Sequence, residues 1–226
     1  MQDREQAEKK LVKDFSGDAK KLENLVAVLS EGSRRERQQA ARFIAAVAKG
    51  SPEVLVPHIG ELVDALEHPE AQTRWELLDA LTELVGGDSL ACEKALVDAE
   101  TALFDEDSGM LRLAAMRFVC KIGATTESRS EKTWPLIDEA IQCYHGDLEY
   151  RDMLALLFSF AHGQISGSVA AELAGRLQFD AENGKGSYLR VRSREIYDAL
   201  VKRFKLDNPQ KKVRAKKSDA EDEDEE

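Results

Sequence analysis

The sequence predicts an all-α protein in which about five antiparallel helix pairs stack into an elongated solenoid. Three observations predict it: helix-forming residues dominate, one arginine recurs at a nearly constant interval, and apolar residues keep fixed offsets from that arginine. Hydrophobic residues make up 42% of the 226 and charged residues 33%, while Gly and Pro number only 14 and 5. Such a composition favours helices with brief connections, and a chain of this length suits an array.

The recurring arginine marks the start of the second helix in each predicted pair. It stands at Arg37, Arg74, Arg112, Arg151 and Arg190. Apolar residues follow six, seven and ten positions later, as Phe118, Val119 and Ile122 do after Arg112. Positions with this spacing share one face of a helix with 3.6 residues per turn, so each second helix is expected to bury a stripe.

A first helix is expected before each second helix, most clearly over residues 54–66, 90–104 and 133–143. The predicted units span residues 18–50, 51–88, 89–128, 129–166 and 167–204. A helical extension is expected over residues 1–17, and a basic-then-acidic tail without stable structure over residues 205–226. Neither helix of a pair can bury its stripe alone, so the units are expected to stack.

Two further features recur with the arginine. Pro57 and Pro135 each lie within a predicted first helix, at nearly equal distances before Arg74 and Arg151. An acid precedes the arginine in three units. These acid–arginine combinations are Glu70/Arg74, Asp107/Arg112 and Asp147/Arg151.

In both features, residues 18–204 resemble HEAT repeats, a family of right-handed α-solenoids. The resemblance implies that the acids and the arginines form a ladder that links neighbouring repeats through charge-assisted hydrogen bonds. The expected members of this ladder are Arg37, Arg74, Arg112, Arg151, Asp107 and Asp147. An anion-binding rail is the functional alternative for the arginine column.

Charge divides the chain into three parts. Residues 1–184 carry 20 basic and 33 acidic side chains, residues 185–217 carry 12 and 3, and the last nine residues add seven acids. The last predicted helix therefore has a basic face, formed by Arg190, Arg192, Arg194, Lys202 and Arg203. This face is a candidate for binding nucleic acid or an acidic protein, and a polar cap at the end of the solenoid is the alternative.

We expect a cytoplasmic protein without a cofactor or a metal. The longest uncharged run, residues 153–171, contains polar residues that disfavour a membrane span, and the N-terminus lacks the apolar core of a signal peptide. Three widely spaced cysteines, Cys92, Cys120 and Cys143, indicate reduced thiols. Cys143 and His145 could supply two metal ligands, which is too few for a tetrahedral site.

One arrangement raises the possibility of an enzyme. Trp75 and Asp79 stand four residues apart on a second helix, which is similar to the tryptophan–aspartate pair of the HEAT-like glycosylases that remove alkylated DNA bases. The resemblance implies an aspartate that stabilises a cationic sugar. However, Glu76 and Glu83 on the same helix would repel a phosphate backbone. We therefore expect no catalytic residues, with a packing tryptophan and a solvated aspartate as the default.

A partner is expected to bind the second helices, at positions two, five and nine after each arginine. In the fourth unit these are Met153, Leu156 and Phe160, within a helix that is apolar all round and must be covered. Arg117 and Lys121 of the third unit would flank this apolar floor. The leading prediction is a non-enzymatic scaffold that binds a partner's peptide or helix. Coverage by the chain itself or by a second copy is the alternative for the apolar helix, and nucleic-acid binding through residues 185–217 is the rival function.

Overall fold

Helices account for all the regular structure in the residues that the computed structural model describes, which are 6, 10 and 12–206. Residues 12–16 are helical, and the α-helices that follow are α1 (Ala19–Glu31), α2 (Arg34–Gly50), α3 (Ile59–Asp64), α4 (Ala71–Leu84), α5 (Ser89–Cys92), α6 (Leu96–Leu103), α7 (Gly109–Gly123), α8 (Glu127–Tyr144), α9 (Tyr150–Ala161), α10 (Gly167–Asn183) and α11 (Ser187–Phe204). The chain divides into two compact units, residues 1–165 and 166–226. The predicted tail lies outside the described residues from residue 207 onward, as do most residues before Val12.

The first unit is an α-solenoid of four helix pairs. Its second helices, α2, α4, α7 and α9, pack against one another in chain order and form one layer. The first helices form the other layer, in which α1 contacts α3 and α3 contacts α5, and the first helix α8 packs against α7 of the second-helix layer. The second unit contains a fifth pair, in which α10 packs against α11. The predicted all-α class and α-solenoid architecture are confirmed.

Side-chain caps define where several helices begin. The Asp18 carboxylate accepts a hydrogen bond from the main-chain N–H of Lys21 at the start of α1. Ser33 and Glu36 form a capping box at the start of α2. The hydroxyl groups of Ser108 and Thr126 accept main-chain N–H groups at the starts of α7 and α8. These caps satisfy donors that have no partner within the first helical turn.

The first helix of the second pair is less regular than the sequence predicts. Its residues form 3₁₀ turns at Pro52–Val54, Val56–His58 and Ala65–Glu67 around the short helix α3. Pro52 and Pro57 lack an N–H and restrict the backbone before them, which interrupts a continuous α-helix. Pro135, by contrast, lies inside the continuous 18-residue helix α8.

The repeated apolar stripe forms the core. Residues ten positions after the arginine are buried in all five pairs, and they are Val47, Leu84, Ile122, Ala161 and Leu200. Residues six and seven positions after it are buried except Phe43 and Phe158, which are half-buried. Across the described residues, no helix combines the length and apolarity that crossing a bilayer requires.

Candidate functional site

Ion pairs link neighbouring helix pairs of the first unit through the arginine column. Arg37 pairs with Glu70, 33 residues later, and Arg112 pairs with Glu149, 37 residues later, at 2.5 Å. Each arginine also donates to a carbonyl of its own turn, that of Gly32 or of Asp105, at 2.8 Å. Arg37 and Arg112 therefore each close one turn and reach the next repeat.

The acids of this ladder occupy one structural position, the N-cap of the next second helix. Glu70 is the N-cap residue of α4 and Glu149 is the N-cap residue of α9. Burial acts to raise the pKa of Glu70, but the hydrogen bond from Arg37 opposes it and the net pKa lies below the ordinary value. Hydrogen bonds from its own backbone N–H and from Arg112 lower the pKa of Glu149. Both carboxylates are therefore held in the charged form.

Three expected members of the ladder, Asp147, Asp107 and Arg74, do not fill this role. Asp147 lies two residues before the α9 N-cap and is exposed, so Glu149 takes the place expected for it. Asp107 is also exposed, because the N-cap of α7 is the next residue, Ser108. Ser108 has no charge and so cannot form the ion pair with Arg74 that an acid at this N-cap would form. Arg74 instead donates to the Asp98 carbonyl at 3.4 Å. Arg151 is exposed on α9.

Two other sets of ion pairs connect the repeats, and neither was predicted from the sequence. In the second-helix layer, Asp79 on α4 pairs with Arg117 on α7. In the other layer, Glu93 accepts from Arg129 at 2.8 Å and from Lys132 at 2.6 Å. Their partners lie 36 to 39 residues apart, close to the arginine period, and this spacing is the signal that could have revealed them.

The predicted apolar floor is not open to solvent. Met153 and Phe160 are only 0% and 1% exposed, and Leu156 is half-buried, so the expected exposure of Met153 and Phe160 was wrong. Phe160 lies where α7, α8 and α9 meet. A Cβ added to Gly123 of α7 would lie 3.0 Å from the Phe160 ring on α9 and would overlap the Thr133 hydroxyl on α8. Packing within the chain therefore covers most of the apolar fourth-pair helix.

The side chains two, five and nine positions after the arginines of α2, α4, α7 and α9 form what we call the second-helix surface. Its charged members are segregated by helix. Helix α2 contributes Arg42, α4 contributes Glu76, Asp79 and Glu83, and α7 contributes Arg117 and Lys121. Glu83, Lys121 and Arg42 are exposed, whereas Glu76, Asp79 and Arg117 are half-buried. The surface therefore presents one basic side chain on α2, an acidic band on α4 and a basic band on α7, followed by Leu156 on α9.

Two carboxyl groups of the acidic band, those of Glu76 and Asp79, have raised pKa values. Burial and the neighbouring Asp79 charge raise the pKa of Glu76, against a hydrogen bond from Trp75 and the charge of Arg42. Burial also raises the pKa of Asp79, against the charge and hydrogen bond of Arg117. An additional positive charge near these carboxylates would favour their ionised forms.

The described residues around Trp75 and Asp79 add no further catalytic group to the glycosylase alternative. Trp75 is half-buried, and Asp79 accepts a hydrogen bond from Arg117. This contact gives Asp79 a structural partner. In the described part of the chain, no cluster of three or more His, Cys, Asp or Glu could hold a metal ion. Burial, with the Asp88 charge, raises the pKa of the Cys92 thiol to about 12, and burial also raises that of Cys120.

The predicted anion-binding residues lie on α11 in the second unit. Arg190 and Arg194 donate to the carbonyls of Gly184 and Ala181, at 3.3 and 3.2 Å. Arg192 pairs with Glu195 on the same helix. Lys202 and Arg203 are exposed near the end of α11. Arg203 also lies over the Phe204 ring, so four of the five basic residues contact groups of their own unit, and anion binding at this face stays a prediction.

Comparisons with known proteins support the fold. A designed armadillo repeat protein, solved in complex with the peptide (KR)4, is 16% identical with a TM-score of 0.67 and covers 88% of this chain and 93% of its own. Two engineered proteins have TM-scores of 0.61 and 0.60 at 16% and 18% identity, and cover 86% and 87% of this chain and 89% and 91% of their own. No protein-family model and no curated protein matches. The likeness establishes a helical repeat solenoid.

Proposed function

We propose that this protein is a non-enzymatic scaffold that binds a peptide or helix of a partner protein along the second-helix surface. The segregation of charge on that surface carries the proposal. Three carboxylates gather on α4 while basic side chains stand on α2 and α7. A surface that served only for solubility would gain nothing from such separation, since interspersed charges solubilise as well.

The bands define the partner's chemistry. A segment that crosses the layer would place a lysine or arginine opposite α4, carboxylates opposite α7, and an apolar side chain near Leu156. Complementary charge of this kind gives specificity and fixes the register of the partner. The partner's cation would also offset the burial and the Asp79 charge that raise the pKa of Glu76.

Two observations support a binding role for these repeats. The designed armadillo repeat protein of the same fold was solved with a peptide of alternating lysine and arginine, and so holds a cationic segment. The pairing of Asp79 with Arg117 favours a binding surface over a base-excision site. Within this proposal the repeats are HEAT-like, as the first-helix prolines Pro57 and Pro135 and the arginine column suggest.

A peptide-display selection on the full-length protein tests the proposal. Peptides that bind the wild type are expected to carry a basic cluster followed by an acidic one. Glu83 and Lys121 are exposed and form no ion pair with the residues that the structure describes, so both bands can be altered through them. A Glu83→Lys and Lys121→Glu double variant is expected to lose the selected peptides by at least tenfold in Kd.

The matched control is Glu100→Lys, which changes an exposed charge on α6 and so leaves the second-helix surface intact. It is expected to retain binding within twofold. Selected peptides without charge order, or equal binding by the double variant and the wild type, would contradict the proposal.

A further inference from the structure

The first-helix layer contains a cleft that no motif in the sequence predicts. It lies between α1 and the segment of residues 58–68, and its volume is about 480 Å³. Both walls belong to the first unit, and the lining residues are on first helices and their turns. This volume falls within the range of roughly 300–1,000 Å³ that is usual for ligand sites.

The base of the cleft is apolar. Val26 and Leu29 of α1 and Ala65 of the facing segment line it, and they are 5%, 1% and 5% exposed. His68 Nε2 and the Leu29 carbonyl lie 2.8 Å apart, and since a carbonyl can only accept, the histidine is the donor. This hydrogen bond connects the two walls of the cleft. The base therefore offers a fixed aliphatic surface.

The rim of the cleft is acidic. Glu23 lies on one wall and Glu61 and Asp64 lie on the other, and all three are exposed. Glu61 accepts from His58 Nδ1 at 3.4 Å. Among the described residues that line the cleft, none is a lysine or an arginine. The rim is thus formally threefold negative when the histidines are neutral.

We propose that this cleft binds a lysine or arginine side chain carried by a basic segment of a partner protein. The aliphatic stem would lie on Val26, Leu29 and Ala65, and the charged head would reach the three carboxylates. Long basic side chains bury their methylene stems on apolar surface while the charge stays at a polar edge. An anion would meet only negative charge at this rim, and a purely apolar group would leave the carboxylates without a counter-charge.

The cleft is separate from the second-helix surface, since the two sets of residues share no helix. The inference therefore goes beyond the proposed function and adds a second contact region for protein partners. Two sites on one chain would let a partner bind with greater avidity than either site provides. The two regions can be tested with different variants.

Fluorescence anisotropy with a labelled peptide, Gly-Lys-Ala-Arg-Ala-Lys-Gly, tests the cleft on the full-length protein. The matched probe replaces each basic residue with norleucine, which keeps the stem and removes the charge. The basic peptide is expected to bind and the norleucine peptide to bind at least tenfold more weakly. NMR shift mapping with the basic peptide is expected to move amide resonances of α1 and of residues 58–68.

Two variants test the site in different ways. Glu61→Gln with Asp64→Asn removes rim charge from exposed positions and is expected to weaken binding at least fivefold. Ala27→Phe, at an exposed position that lines the cleft, fills it without changing charge and is expected to abolish binding. Glu100→Gln, at an exposed position on α6 outside both the cleft and the second-helix surface, is the control that should leave the Kd within twofold.

Several outcomes would overturn the inference. Equal Kd values for wild type and both cleft variants would do so, as would shifts confined to α4 and α7. Magnesium or calcium ions that move the same resonances and displace the peptide would show a metal site instead. Concentration-dependent dimerisation abolished by Ala27→Phe would show that a second copy occupies the cleft. If the Glu83→Lys and Lys121→Glu double variant binds the selected peptides as well as the wild type does, this test is unaffected, so the two proposals can fail separately.

Discussion

Neutralising Glu70 is expected to destabilise the first unit by more than any other single charge removal that conserves side-chain size. The Glu70 side chain is 5% exposed and that of its partner Arg37 is 17% exposed, so the pair is nearly buried. Glu70→Gln preserves shape and leaves the guanidinium of Arg37 without a counter-charge. The change isolates the ladder contact between the first two repeats.

The expected magnitude follows from the burial of the two groups. Removing one partner of a buried ion pair costs about 3–5 kcal/mol, because the other charge remains buried and uncompensated. Arg37 keeps a 2.8 Å hydrogen bond to the Gly32 carbonyl and some contact with solvent, which reduces the cost. We therefore expect a loss of about 2–4 kcal/mol in the free energy of unfolding.

Urea denaturation followed by tryptophan fluorescence measures this loss. Trp75 and Trp134 both lie in the first unit, so the signal reports the unit that contains the ladder. The matched control is Glu67→Gln, at an exposed position three residues earlier, which is expected to change stability by less than about 0.5 kcal/mol.

A double variant examines the physical reason. Arg37→Met with Glu70→Leu removes both charges, and it is expected to recover at least half of the stability lost by Glu70→Gln, because no charge is left buried. The reasoning is refuted if Glu70→Gln costs less than about 1 kcal/mol, or if the double variant is as unstable as the single one.

Three further predictions concern packing, pH and thiols. Gly123→Ala is expected to lower the free energy of unfolding by about 1–3 kcal/mol in a denaturation experiment, because the added Cβ would meet α8 and α9. Gly175→Ala adds a Cβ in open space and should stabilise α10 by up to about 1 kcal/mol. The raised pKa of Glu76 means that its charge opposes folding above the unfolded value of 4.5, so Glu76→Gln should raise Tm at pH 7 and have no effect on Tm at pH 3. The lowered pKa values of Glu70, Glu93 and Glu149 have the opposite sign, so wild-type stability should fall as the pH drops below 4.5. Cys143 alone should react with a thiol reagent in the native protein, since the other two cysteines are buried; reaction of all three without denaturant would contradict this.

The candidate sites were less predictable than the helices. The arginine period places Arg117 and Lys121 on a second helix, and a role for them in binding a partner stays a prediction. The exposure of Met153 and Phe160 was misjudged, because an amino-acid sequence does not reveal that Gly123 gives Phe160 room beside α7. The cleft could not be predicted, because its walls belong to different repeats and share no motif.

The sequence by itself determined the helical class, the repeat period and the buried face of each second helix. These properties are local, because an apolar stripe with a 3.6-residue period must be buried wherever its helix lies. Only the tertiary structure decided which acid meets which arginine. Asp147 and Glu149 are both plausible partners for Arg112 in the sequence, and the stacking of α9 on α7 brings the N-cap residue, Glu149, into contact. Contacts of this kind depend on how one repeat is set against the next, and an ion pair forms only where that packing brings the two side chains within a few ångströms.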